Sequence, residues 1–102
     1  MIEITTDNIE KEMKGTIIID FWAEWCYPCK EMGPIFESLS KEMKNLKFGK
    51  LNVDDEPELA ARFGVMSIPT FLLVKNGNEI GRFVGTMPKS AFKNKIEQVW
   101  NA

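Results

Sequence analysis

Ile17, Ile18 and Ile19, followed past a single aspartate by Phe21 and Trp22, form a nearly unbroken run of β-branched and aromatic residues. A strand with one wet face alternates apolar and polar positions; this run does not, so it reads as a strand buried on both faces. Such a strand belongs inside a sheet with helices covering both sides. The neighbouring stretches supply those layers. A short strand over 2–4 leads to Thr5, Thr6 and Asp7, residues suited to cap a short helix that carries Ile9 and Met13 and stops near Gly15. After the buried strand, Met32, Ile35 or Phe36, Leu39 and Met43 recur at helical spacing. That helix should begin near the cysteines and contain Pro34, which removes one backbone hydrogen bond and favours a kink.

A strand over 48–53 and a short helix opened by Pro57 and closed by Gly64 follow. The segment 69–74 reads as a strand, Asn76-Gly77 as a tight hairpin turn and 80–84 as the returning strand. Pro88 is placed for the first turn of a last helix whose apolar face holds Ala91 or Phe92, Ile96, Val99 and Trp100. The order βαβαβαββα predicts an α/β fold: a mixed sheet of about five strands, parallel early with an antiparallel hairpin at its edge, flanked by helices on both faces. No repeat or linker interrupts it, so residues 1–102 read as a single domain, long enough to bury roughly two thirds of the surface its unfolded form exposes.

Both cysteines lie in W-C-Y-P-C-K, at Cys26 and Cys29, and the chain has no histidine. A structural zinc site needs four ligands, so one chain cannot build one from this pair; only a site shared across a dimer would supply four cysteines. Covalent haem attachment needs histidine after the second cysteine, where Lys30 stands. As a permanent staple, so short a loop would contribute only about 2 kcal/mol. A dithiol that cycles fits best, because C-x-x-C beside a βαβ pattern is a redox signature. Cys26 falls where the buried strand has ended and the helix begins, so backbone N–H groups and the helix dipole favour its thiolate. Cys29, one turn on, should point inward with a higher pKa. That expected contrast in burial assigns attack to Cys26 and resolution to Cys29.

With W-C-Y-P-C-K after I-D-F-W-A and a later I-P-T, the sequence resembles the thioredoxin family along its whole length, in the form of a small single-domain member with a Cys-Tyr-Pro-Cys active site. The matching positions are Asp20, Trp22, Trp25, Cys26, Pro28, Cys29, Lys30, Pro34, Lys50, Pro69 and Gly85. Read by itself, a carboxylate among Ile17 to Phe21 is costly unless it is neutral or partnered, or unless the strand ends there and lets it reach water. The resemblance implies that Asp20 lies beneath the cysteines and assists proton transfer at the resolving thiol, and that Lys50 on the adjacent strand tunes it. Without the resemblance, Lys50 reads as a snorkelling lysine and Pro69 as a simple strand start. With it, Ile68-Pro69 is expected to be cis and to face the cysteines, leaving the Ile68 backbone to pair with an extended substrate. Trp25, Tyr27, Pro28, Ile68, Pro69 and Gly85 would frame the docking surface.

Family members typically carry Gly-Pro between the cysteines, and this chain carries Tyr27-Pro28. Glutaredoxins use the reverse order, which raises a glutathione-linked enzyme as an alternative. They also typically place valine before the cis proline, where Ile68 stands, and their glycine-rich glutathione segment is not evident. A non-catalytic binding module is the other rival. The expected function is protein-disulfide reduction with no bound cofactor and no metal, protein disulfides as substrates, a thioredoxin reductase as electron donor, and a monomeric state. A net charge of -2 and the lack of a basic run offer no grip on nucleic acid, and no apolar run is long enough for a membrane. The N-terminus lacks the basic and apolar regions of a secretory signal, so the expected location is cytoplasmic.

Overall fold

The computed structural model describes residues 1–100. Its elements are β1 (Ile2–Glu3), α1 (Ile9–Glu12), β2 (Thr16–Trp22), α2 (Tyr27–Glu42), β3 (Lys47–Asn52), α3 (Pro57–Arg62), β4 (Thr70–Lys75), β5 (Asn78–Val84) and α4 (Lys89–Trp100). They build one five-stranded sheet in the order β1-β3-β2-β4-β5. β1 and β2 both pair parallel to β3, while β4 runs antiparallel to β2 and β5 antiparallel to β4. The element order is the expected one, and the antiparallel part includes β4 itself: the whole hairpin runs opposite to its neighbour β2.

The unbroken apolar run explains the position of β2. Ile17, Ile18, Ile19 and Phe21 are fully buried, and β2 lies in the middle of the sheet with a core on each side. One core joins Ile17, Ile19 and Phe21 to Ile4, Ile9, Leu51, Leu59 and Leu72, beneath α1 and α3. The other joins Ile18 to Met32, Phe36, Leu39, Phe71, Phe92 and Ile96, beneath α2 and α4. Each fully buried aliphatic or aromatic side chain contributes about 1.5–3 kcal/mol relative to an exposed one, so β2 alone anchors both layers. Phe36 organises the second core, its ring 5.0 Å from that of Phe48 and 5.7 Å from that of Phe71. Gly49 fits the first, since a Cβ there would lie 2.8 Å from Ile4 Cγ1.

Local chemistry sets several boundaries. Asn76 and Gly77 turn the hairpin with φ of 51° and 84°, the pair of positive angles that a type I′ turn requires and that asparagine and glycine tolerate. α2 is continuous across Pro34. α1 is not capped by Thr5, Thr6 or Asp7 as expected: Asn8 flanks it, and its Oδ1 instead accepts from the Thr5 N–H at 2.8 Å. The Thr6 N–H and hydroxyl both donate to Glu56 Oε1, across 50 residues of sequence. Pro88 lies just before α4 rather than inside its first turn, and its carbonyl accepts from the Phe92 N–H. β4 begins at Thr70, one residue after Pro69, because a residue without an N–H cannot donate to the ladder.

Candidate active site

β2 ends at Trp22, and four residues later α2 begins at Tyr27. Cys26 occupies the N-cap of α2 in an extended conformation, and its Sγ accepts from the Cys29 N–H at 3.3 Å. An N–H aimed at sulfur, together with the helix dipole behind it, favours negative charge at that atom once the pair is reduced. In the structure Cys26 and Cys29 are joined as a disulfide, their Cα atoms 5.3 Å apart. The expected contrast in burial is absent, since Cys26 is 5% exposed and Cys29 4%. The bond draws both sulfurs under the same cover, Ala23 with Trp22, Val53 and Ile68. What distinguishes the two is position: Cys26 caps the helix and its Sγ lies 3.8 Å from the Ile68 carbonyl, whereas Cys29 is on the buried face of the first helical turn.

Asp20 follows from the strand's alternation. Its neighbours Ile19 and Phe21 face α1 and α3, so Asp20 shares the opposite side with Ile18, the side that α2 covers. It is 1% exposed, which excludes a strand end open to water, and its Oδ1 has no hydrogen-bond partner among the described residues. Burial pushes the carboxyl up to about 7, partly opposed by the positive charge of Lys50. Lys50 is the cross-strand neighbour of Asp20 on β3. Its Nζ stands 4.6 Å from the centre of the Trp22 ring rather than on the carboxylate.

The expected docking residues gather around the disulfide. Trp25 and Tyr27 are 70% and 72% exposed, Pro28 is exposed in the first turn of α2, and the Trp25 Nε1–H donates to Asp54 Oδ2 at 2.9 Å. The Ile68-Pro69 bond is cis. Gly85, with φ of 91°, leaves β5 so that its N–H donates to the Pro69 carbonyl at 3.0 Å. The N–H of Ile68 has no partner among the described residues. Between Trp25 and Ile68 runs an apolar groove of about 340 Å³, lined also by Val53, Ala60, Val65 and Met66. Met66 and Asp54 were not anticipated from the sequence; the one available signal for Met66 was an apolar residue in the loop between Gly64 and Pro69. Among the described residues, no group of three or more histidine, cysteine or acidic side chains is placed to hold a metal ion. Among the described residues no helix is long and apolar enough to cross a membrane.

The family model described as Thioredoxin matches residues 1–98. The chain belongs to the thioredoxin family. It is 46% identical over 84 residues to a thioredoxin of Chlamydia caviae, covering 82% of each chain. It is 37% identical over 100 residues to a thioredoxin of Chlorobaculum thiosulfatiphilum, covering 94% of this chain and 93% of that one. A solved structure from work on the thiol resolving mechanism in yeast mitochondrial 1-Cys peroxiredoxin via glutathione/thioredoxin systems superposes with a TM-score of 0.87 at 30% identity, over 96% of this chain and 94% of that one. The thioredoxin fold and the Cys26–Cys29 bond together make the protein a thiol–disulfide oxidoreductase that works by dithiol–disulfide exchange. Its redox centre is the Cys26–Cys29 pair.

Proposed function

We propose that the protein is a monomeric, cytoplasmic, single-domain thioredoxin whose Cys-Tyr-Pro-Cys centre reduces protein disulfides. Cys26 thiolate attacks one sulfur of the substrate disulfide, forming a mixed disulfide and expelling the other sulfur as thiolate. Cys29 then gives its proton to the Asp20 carboxylate and attacks Cys26 Sγ, which forms the Cys26–Cys29 bond and releases the second substrate thiolate. Two electrons pass to the substrate, and a thioredoxin reductase returns the pair to the dithiol.

The observation that carries these roles is the Cys29 N–H directed at Cys26 Sγ at the start of α2. It supports Cys26 as the sulfur whose thiolate is stabilised. The free Ile68 N–H supports main-chain pairing with an extended substrate beside that sulfur, and the Trp25 groove offers apolar contact. Lys50 acts on Asp20 through its charge. Tyr27 and Pro28, exposed at the helix start, and Gly85, tied to Pro69, complete the docking surface.

The test is Cys29→Ser with a disulfide-containing protein substrate. Mass spectrometry should find substrate accumulating as a mixed disulfide on Cys26, with turnover lost. Release of fully reduced substrate by this variant would show that the attacking and resolving roles are wrongly assigned.

A further inference from the structure

Lys50 is the register partner of Asp20 on β3, and across parallel strands such partners project to the same side of the sheet. A lysine beside a buried carboxyl would ordinarily pair with it, since the attraction grows as water is excluded. Here no hydrogen bond or ion pair joins the two among the described residues, and Asp20 Oδ1 is left without a partner. The Lys50 ammonium lies instead over the indole of Trp22, 4.6 Å from the ring centre. Trp22 follows Asp20 by two residues on β2, so its side chain leaves the same face of the strand. Trp22 and Lys50 together line a cleft of about 370 Å³ that runs to β1 and the segment before α3.

We propose that Trp22 is a positioning residue: its indole face holds the Lys50 ammonium off the Asp20 carboxyl and so keeps that carboxyl free to carry a proton. Tryptophan provides the strongest aromatic attraction for a cation, and that attraction grows where water is partly excluded. Were Lys50 to close on Asp20, the carboxylate would become a permanent ion-pair partner and lose its ability to exchange a proton near neutral pH. The other charged or titratable groups in range are few. α2, on the same side of the sheet, brings Cys29, and β4 sets Phe71 opposite Asp20. Glu3 of β1, Glu24 after β2, and Asp55 and Glu56 before α3 line the shared cleft. Lys50 is thus the cation among these groups, its placement tuning a carboxyl that burial already disposes to hold a proton, and the reading of Asp20 as a proton acceptor above rests on the same group.

The test is NMR titration of the Asp20 carboxyl carbon in the full chain with its disulfide intact, so that neither cysteine titrates. Trp22→Leu should lower the Asp20 midpoint by about one pH unit, because Lys50 is released toward the carboxylate. In a Lys50→Met background the same Trp22→Leu change should leave the midpoint where Lys50→Met alone puts it. Trp22→Phe, which keeps a weaker aromatic face, should give a smaller shift of the same sign, again absent with Lys50→Met, and it serves if Trp22→Leu does not fold. An unmoved or raised midpoint, or an equal fall with and without Lys50, would overturn the proposal; the latter outcome would mean that Trp22 merely excludes solvent. A midpoint that moves as expected while the rate of substrate release stays constant would leave the positioning role standing and remove Asp20 from the resolving step.

Discussion

Ile19 and Asp20 are adjacent in β2 and almost equally hidden, at 0% and 1% exposure, yet they face different layers and have opposite effects. Ile19 joins the apolar core beneath α1 and α3, where every neighbour repays its burial. Asp20 looks toward α2, where no partner among the described residues meets its Oδ1. Both layers hold the sheet together, but in the second the buried carboxyl of Asp20 gives up some of that stability. A buried carboxyl without a partner costs free energy whenever it is ionised, and the same cost raises its affinity for a proton. Functional sites are where such local violations of good packing are expected.

The largest effect expected in this pair is at Ile19. Ile19→Ala should lower stability by about 4 kcal/mol, through lost apolar contact and the cavity left behind, at every pH. Urea unfolding at two pH values checks this, and a loss that depended strongly on pH would mean that the two faces are not separable. Asp20→Ala should do the reverse. Its carboxyl ionises near 3.8 when unfolded and about 7 when folded, so between those values the folded state binds more protons. The contribution of Asp20 to stability should therefore be most favourable below pH 4, fall as pH rises to 7 and level off above it. The ionised carboxyl then costs on the order of 4 kcal/mol at pH 8, and alanine should recover about 3 kcal/mol of it after lost packing. The gain should shrink as pH falls to 5. Unfolding of both proteins at pH 5 and 8 measures it, and an Asp20→Ala variant no more stable than wild type at pH 8 would blur the contrast between the faces.

Much of this was legible in the chain because the relevant signals are local. The unbroken run at Ile17 to Trp22, the helical spacing of Met32, Phe36 and Leu39, and Asn76-Gly77 each carry their own period or turn chemistry, and the elements stand where those signals put them. The cysteine pair was legible for the same reason. Asp20 stood out because a charge in a two-sided apolar strand has no bland explanation once it is buried. What could not be read was whatever depends on residues distant in sequence. The start of α1 is one case: Asn8 flanks the helix, and the Thr6 N–H and hydroxyl are engaged by Glu56, 50 residues away. The stacking of Lys50 on Trp22 needs the register of β2 against β3, which no local pattern supplies. The expected difference in burial between Cys26 and Cys29 failed because a bond between them places both under one cover.

The most direct test of the account separates the two chemical steps. Stopped-flow measurement of mixed-disulfide formation and of its resolution, from pH 5 to 9, should be made on wild type and on Asp20→Ala. In wild type the resolution rate should fall as pH drops below about 7, where the carboxyl takes up its proton and can no longer accept one from Cys29. In Asp20→Ala that inflection should vanish and resolution should slow by roughly 10²-fold or more, with the attack by Cys26 nearly unchanged. An inflection that survives the substitution, or an equal slowing of both steps, would contradict the assignment of the unpartnered carboxyl to the resolving thiol.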